Sequence, residues 1–250
     1  MPKVNRTPKV LYVDIETSPN IALIWRSGYR ISVSPDNIIE ERKIICVSYK
    51  WADEDKVHSI TWSARQDDKK LLKQISKILL EADSIIAHNG DKFDIRWING
   101  RLLYHRLSPL GQLPTDDTLK QSRRYFELNS HKLDYIGKFL QIGEKIKTGG
   151  LDLWKRVLLD NDRKALDEMV RYCEGDVILL QEAHEEMAPY IKPKQHMGIL
   201  IGGTREDCPS CGDSHVIKDG IYTSRMGKYQ QYKCQECGHR FKDTRQIKKV

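Results

Sequence analysis

The sequence lacks any apolar run that approaches the roughly 20 residues needed to cross a bilayer. A membrane-spanning protein is therefore excluded, and we expect no membrane partner. Residues 1–7 are polar and basic and lack an apolar signal segment, so we predict a cytoplasmic location. No internal repeat or low-complexity tract occurs in the 250 residues, which excludes a repeat architecture and leaves room for a sizeable core.

The pattern of cysteines excludes a disulfide framework. Cys46 and Cys173 lie inside apolar patterns, and we expect both to be buried free thiols. The other four form two C-x2-C pairs: Cys208, Cys211, Cys234 and Cys237. Four thiolates in this spacing predict one closed, tetrahedral Zn²⁺ site with a structural rather than a catalytic role.

The first three quarters of the chain lack an excess of either charge. Residues 1–190 hold 30 Lys and Arg against 29 Asp and Glu, whereas residues 191–250 hold 12 against 6. The last quarter therefore carries +6 of the net charge of +7. This excess predicts contact with nucleic-acid phosphates, and a solvated basic tail is the alternative.

Three acidic motifs occur in order along the chain: Asp14-Ile15-Glu16, Asn89-Gly-Asp-Lys-Phe93-Asp94 and Tyr172-Cys-Glu-Gly-Asp176. The first motif follows the apolar run at residues 10–13, which predicts a buried strand with Asp14 and Glu16 on one face. A helix would place Tyr172 and Asp176 on one face, because they are four residues apart.

Converging carboxylates repel one another unless cations lie between them. Hard oxygen ligands suit Mg²⁺ or Mn²⁺, and two such ions roughly 3.5–4 Å apart can clamp a phosphoryl transfer. The sequence therefore predicts two Mg²⁺ or Mn²⁺ ions, held by four carboxylates: Asp14, Glu16, Asp94 and Asp176.

The three motifs resemble those of the DEDD 3′–5′ exonucleases, whose patterns are D-x-E, N-x3-F-D and Y-x3-D. The second branch of that family has His five residues before the last Asp, where this chain has Arg171, so the resemblance is to the tyrosine branch. Residues 131–140 are similar to a segment of the proofreading domain of family-B DNA polymerases. The resemblance covers roughly residues 9 to 190. The cysteine pairs resemble the zinc ribbon of many transposases.

The resemblance implies an α/β fold, with a ribonuclease H-like mixed sheet flanked by helices and a small C-terminal zinc ribbon. We expect an exonuclease domain at residues 1–192, a linker at 193–204 and the ribbon at 205–250. The apolar patterns predict further strands at residues 21–25, 44–51, 57–62 and 84–87, and helices at 69–82 and 163–190.

The implied activity is metal-dependent hydrolysis of nucleic acid from its 3′ end, with single-stranded DNA as the preferred substrate. An exoribonuclease and a catalytically silent nucleic-acid adaptor are the alternatives, and a replication or recombination protein is an expected type of partner. Besides the four carboxylates, Tyr172 is expected to position the attacking water. Asn89 and Phe93 are expected to hold the substrate, although a turn role for Asn89 stays open.

Within the ribbon, residues 216–225 predict a hairpin. Basic residues interleaved with tyrosines suit loose contact with nucleic acid, and docking onto another protein is the alternative. These residues are Lys218, Tyr222, Arg225, Lys228, Tyr229, Tyr232, Lys233, Arg240 and Lys242.

Overall fold

A five-stranded mixed sheet forms the centre of the molecule in the computed structural model, which describes residues 7–28 and 30–247. Its order is β5-β4-β1-β6-β7. The strands are β1 (Val10–Thr17), β4 (Ile44–Trp51), β5 (His58–Thr61), β6 (Ser84–Ala87) and β7 (Thr115–Asp117). Strand β1 is central, because it pairs antiparallel with β4 on one side and parallel with β6 on the other.

Helices cover both faces of this sheet, so the predicted mixed α/β architecture is confirmed. They are α1 (Lys69–Glu81), α2 (Asp94–Tyr104), α3 (Thr118–Tyr125), α4 (Leu133–Leu140), α5 (Leu151–Leu158), α6 (Arg163–Met187) and α7 (Met197–Leu200). None of the helices described combines the length and apolarity needed to cross a membrane.

The alternation of side chains along β1 divides the core. Leu11, Val13 and Ile15 are buried with the apolar faces of α1 and α2. Tyr12 is buried on the opposite face, among residues of α4 and α6. Asp14 and Glu16 share that second face, since they lie two and four residues beyond Tyr12. The pleat of one strand therefore directs both acids toward α6.

The prediction that residues 21–25 form a strand of the main sheet is wrong. Only β2 (Ile21–Ala22) is extended there, and it pairs with β3 (Ile38–Glu40) in a separate two-stranded sheet. Both edges of β1 are already occupied by β4 and β6, so the segment cannot pair with β1. The side chain of Trp25 is fully exposed in consequence.

A buried ion cluster ties α1, α2 and β4 together. Asp68 precedes α1 and is completely buried; it accepts hydrogen bonds from Arg101 Nε at 2.7 Å and from the Ile44 N–H at 3.0 Å. His105 Nε2 lies 2.6 Å from the same carboxylate. Burial alone would raise the pKa of Asp68, but these hydrogen bonds hold it below its usual value. Removing one partner from such a cluster typically costs about 3–5 kcal/mol.

The last part of the chain forms a separate three-stranded antiparallel sheet of β8 (Val216–Ser224), β9 (Gly227–Cys234) and β10 (Arg240–Gln246). We call residues 205–247 the C-terminal module. The predicted hairpin within residues 216–225 is wrong, because β8 continues to Ser224 and pairs with Gly227 there. Within this described range, Cys208, Cys234 and His239 are the only buried residues. The module therefore has almost no hydrophobic core.

Candidate active site

Three of the predicted carboxylates meet between β1 and α6. One oxygen each of Asp14, Glu16 and Asp176 lies within 4.8 Å of the other two. Asp176 is buried in the middle of α6, and the other two are partly buried on β1. The strand and the helix are more than 140 residues apart in sequence, so the sheet and its packing against α6 create this cluster.

Asp94 lies beside the cluster but outside the group of three. It is the first residue of α2, and its side chain is buried. Burial, followed by the nearby charge of Asp14, raises the pKa of Asp94 well above its usual value. Among the described residues, no hydrogen-bond partner exists for Oδ1 of Asp94 or for Oδ1 of Asp176. Buried carboxylate oxygens of this kind normally bind a partner, and a cation would serve both.

The electrostatics of the cluster favour cation binding. Burial is the largest cause that raises the pKa of Asp14 to about 7, and repulsion from Asp176 adds to it. Burial, followed by repulsion from Asp14, raises the pKa of Glu16 to about 8. The ionised cluster is therefore costly by itself. All the donors are carboxylate oxygens, which fits Mg²⁺ or Mn²⁺ better than a softer metal.

Lys145 is a site residue that sequence reasoning missed. It lies between α4 and α5, and its ammonium group donates to Asp176 Oδ2 at 2.5 Å and to Tyr172 Oη at 3.4 Å. Its backbone N–H donates to Asp134 Oδ1 at 3.0 Å, which fixes the loop. Burial alone would lower the pKa of Lys145, but attraction to Asp176 outweighs it and the pKa is raised. The lysine thus supplies one positive charge to the cluster.

Tyr172 lies one helical turn before Asp176, as its spacing predicts. Burial, followed by the charge of Asp176, raises the pKa of Tyr172 to about 12. The phenol consequently keeps its proton at neutral pH and can donate a hydrogen bond. Proton abstraction by Tyr172 is disfavoured for the same reason.

The second motif forms a tight turn in front of α2. Asn89 has a left-handed φ of +68°, and its carbonyl accepts hydrogen bonds from the N–H groups of Lys92 and Phe93. A turn role for Asn89 is therefore established, while contact with a substrate stays a prediction. Phe93 is partly buried against the core and lies 6.3 Å from Trp97 between ring centroids.

Asp117 at the end of β7 stabilises this turn through hydrogen bonds to its backbone. Its carboxylate caps α3 by accepting from the N–H groups of Leu119 and Lys120. The same carboxylate accepts from the N–H of Asn89 at 3.1 Å and of Asp91 at 3.3 Å. One buried acid therefore couples the start of α3 to the motif that ends at Asp94.

A buried thiol on α6 contacts the acidic cluster at Asp14. Cys173 Sγ lies 3.5 Å from Asp14 Oδ2 and is completely buried. Cys46, on the neighbouring strand β4, is also buried, and neither cysteine is in a disulfide. The expectation of two buried free thiols is confirmed.

The four remaining cysteines form the second cluster. Their sulfur atoms all lie within 4.8 Å of one another, and the Cys208–Cys237 and Cys211–Cys234 separations are both 3.6 Å. A tetrahedral ion with Zn–S bonds of about 2.3 Å would place its sulfurs about 3.8 Å apart. The glycine after each second cysteine has a left-handed φ, +85° and +73°. The arrangement is thus compatible with a small zinc site.

The comparisons with known proteins agree with this geometry. The RNase H superfamily model matches residues 39–188, more than half of the sequence, and the chain belongs to that superfamily. The predicted ribonuclease H-like fold is thereby confirmed.

Two particular proteins are similar to the chain. It is 41% identical over 76 residues to the PolC-type DNA polymerase III of Ureaplasma parvum serovar 3, which is 30% of this chain and 5% of that protein. It therefore spans a small fraction of this curated relative. Its fold resembles the family B DNA polymerase from the hyperthermophilic archaeon Pyrobaculum calidifontis, with a TM-score of 0.56 and 14% identity over 90% of this chain and 32% of the other.

Proposed function

We propose that this protein is a divalent-metal-dependent nuclease, and specifically a 3′–5′ exonuclease of the DEDD tyrosine branch. The observation that carries the proposal is the convergence of Asp14, Glu16 and Asp176, with buried Asp94 beside them, in an RNase H superfamily fold. The two similar proteins named above are both DNA polymerases, which supports nucleic acid as the substrate.

The residues of the cluster have distinct proposed roles. The four carboxylates would hold two Mg²⁺ or Mn²⁺ ions. When bound, such ions activate a water molecule and offset charge that develops on the phosphate. The Tyr172 phenol would orient the attacking water by a hydrogen bond, because it stays protonated. In the proposed hydrolysis, water would lose a proton and add to phosphorus, the bond between phosphorus and the 3′ oxygen of the shortened strand would break, and that oxygen would take up a proton as the nucleoside monophosphate is released.

Single-stranded DNA is the proposed substrate, because residues 131–140 are similar to the polymerase proofreading segment. RNA is the alternative substrate within the same activity. A silent adaptor is less well supported, since the sequence has all four carboxylates and Tyr172, and oxygens of Asp14, Glu16 and Asp176 lie within 4.8 Å of one another.

The test is digestion of 5′-labelled single strands of DNA and RNA with one sequence, in the presence and absence of Mg²⁺. We expect Mg²⁺-dependent products that shorten one nucleotide at a time, faster for DNA. Asp14→Asn and Asp176→Asn should each slow cleavage at least about 10³-fold, roughly 4 kcal/mol, because each removes a metal ligand. Glu174→Gln is the matched control, since it lies on α6 but bonds to Ser59 at 2.7 Å.

Each part of the proposal has its own contradicting result. Full activity in either cluster variant at saturating Mg²⁺ would exclude the assigned site. Internal cleavage of a strand whose 3′ end is blocked would show that the activity is that of an endonuclease rather than an exonuclease. Faster digestion of RNA would reverse the substrate preference.

A further inference from the structure

Strand pairing in the C-terminal module sorts its tyrosines and basic residues onto two faces. Cross-strand partners in an antiparallel sheet share a face, and so do alternate residues along one strand. Tyr222 is paired with Tyr229, and Arg240 is paired with Lys233. Lys242 is paired with Gln231, which lies between Tyr229 and Lys233 in the alternation along β9. Five residues therefore share what we call the aromatic-basic face: Tyr222, Tyr229, Lys233, Arg240 and Lys242.

A β-bulge puts Tyr222 on this face. The pairing shifts by one residue between Lys218 and Ile221, and Gly220 has a φ of +90° there. In a regular strand Tyr222 would share the face of Lys218, because the two are four residues apart. The extra residue turns Tyr222 to the other side, as bulges commonly do for a side chain.

The bulge produces a specific contact between a cation and two rings. Lys242 Nζ lies 4.4 Å from the centroid of Tyr222 and 4.4 Å from that of Tyr229. The two ring centroids are 6.4 Å apart. Tyr222 is 42% exposed, and Lys242 and Arg240 are exposed as well. Arg240 Nε is paired with Asp219 Oδ2 at 2.7 Å, so the positive charge offered to a partner comes chiefly from Lys233 and Lys242, beside the partly exposed rings of Tyr222 and Tyr229.

Part of the opposite face is engaged in ring contacts. Tyr232 stacks on Phe241, and Phe241 stacks on His239. His239 is buried, and its ring lies close to the backbone of Pro189 and Ala188, just after α6. The His239 end of this face therefore lies toward the rest of the chain, while Lys218, Ile221 and Lys228 on the same face are exposed.

We infer that the aromatic-basic face is a binding platform for single-stranded nucleic acid. Tyrosine rings stack on bases of any sequence, while Lys and Arg contact the phosphates between them. The charge fits this partner, since residues 191–250 carry +6 of the net +7. The choice of ligand rests on the proposed function, whereas binding to the face requires no catalysis.

The test compares two charge-matched double variants of the full chain. Lys233→Gln with Lys242→Gln removes two charges from the aromatic-basic face; Lys218→Gln with Lys228→Gln removes two from the opposite face, as the pairing assigns them. All proteins carry Asp176→Asn to prevent cleavage. The probe is a 5′-fluorescent 20-nucleotide oligothymidylate, titrated at several salt concentrations, with a duplex of equal length for comparison.

The first double variant should lower the slope of log K against log salt by about 1.4, or about 0.7 for each lost contact. The second should leave the slope within error of the parent. Tyr222→Leu should weaken single-strand binding about five-fold or more and spare the duplex, because it removes a stacking ring. Zinc content and circular dichroism of each variant check that the module stays folded.

Equal losses from both double variants would overturn the inference, because binding would then follow total charge rather than one face. Unchanged affinity in every variant would overturn it too and would favour a protein partner. Neither result would depend on hydrolysis, so the proposed nuclease activity stands or falls separately in the digestion assay.

Discussion

The chain contains two clusters suited to cations, and they differ in what surrounds them. The acidic cluster sits on β1 and α6, inside a sheet whose core is complete without any ion. The cysteine cluster sits in the C-terminal module, where Cys208, Cys234 and His239 are the only buried residues described. A cation would therefore stabilise the fold at the cysteine cluster and would chiefly serve chemistry at the acidic cluster.

The two clusters also have opposite effects on the free energy of folding. Like charges at Asp14, Glu16 and Asp176 oppose the fold, and Lys145 relieves only part of that repulsion. Structural zinc sites, in contrast, supply folding free energy directly. A residue that binds metal can thus weaken or strengthen a protein, depending on whether the surroundings fold without the ion.

The largest expected effect follows from removing one cysteine ligand. Cys208→Ser should abolish zinc binding and unfold residues 205–247, because structural Zn²⁺ contributes roughly 10–16 kcal/mol of apparent binding free energy in comparable sites. The sheet around β1 should keep its own thermal transition. Zinc analysis and limited proteolysis measure the two effects.

Ser210→Ala is the control for this prediction, since it lies between the two cysteines of the same pair. It should retain one zinc per chain and resistance to protease. A Cys208→Ser protein with a protease-resistant module would mean that the module folds without the ion, and the contrast between the clusters would disappear.

Tyr172→Phe should have the next largest effect, on rate alone. Loss of one well-placed hydrogen bond in a charged site costs about 2–4 kcal/mol of transition-state stabilisation. Stability should be nearly unchanged, because the ring remains. Single-turnover rates are compared with affinity for an uncleavable single strand; weak binding with normal turnover would make Tyr172 a substrate contact instead.

Lys145→Gln tests whether this lysine competes with added cations. Without its charge next to Asp176, Mn²⁺ affinity in the absence of nucleic acid should rise roughly tenfold, about 1.4 kcal/mol. Lys147→Gln, two residues away and exposed, makes the same charge change and should have no such effect. Titration calorimetry with Mn²⁺ distinguishes them, and equal affinities would rule out competition.

The smallest expected effect is on stability against pH without divalent ions. The folded pKa values of Asp14 and Glu16, about 7 and 8, lie above those of an unfolded chain. The folded state therefore binds more protons between about pH 4 and pH 8, so stability should fall as pH rises through this range. Asp14→Asn should make this fall shallower, because it removes one of the two carboxyl groups with a raised pKa; urea unfolding at pH 5 and pH 8 measures it. A steeper fall in the variant would contradict this account.

Sequence patterns predicted most of the sheet because its strands are short, buried and bounded by polar residues. The four-residue spacing predicted the Tyr172–Asp176 pair for a similarly local reason. Lys145 could not be found this way, since its role depends on where the α4–α5 loop crosses α6. The bulge at Gly220 was equally hidden: Asp219-Gly220 is a common turn sequence, and only cross-strand pairing distinguishes a turn from a bulge.

The carboxylate of Asp68 has a mechanical consequence for Asp94. It clamps the far end of α2 through Arg101 and His105, while the Asn89 turn holds the near end. Contacts at both ends thus fix the position of helix α2, whose first residue is Asp94. Arg101→Met would remove the hydrogen bonds from α2 to Asp68, and we expect the side chain of Asp94 to occupy a wider range of positions. The position of the Asp94 carboxylate therefore depends on Arg101, about seven residues later in the sequence, and on Asp68, neither of which contacts it.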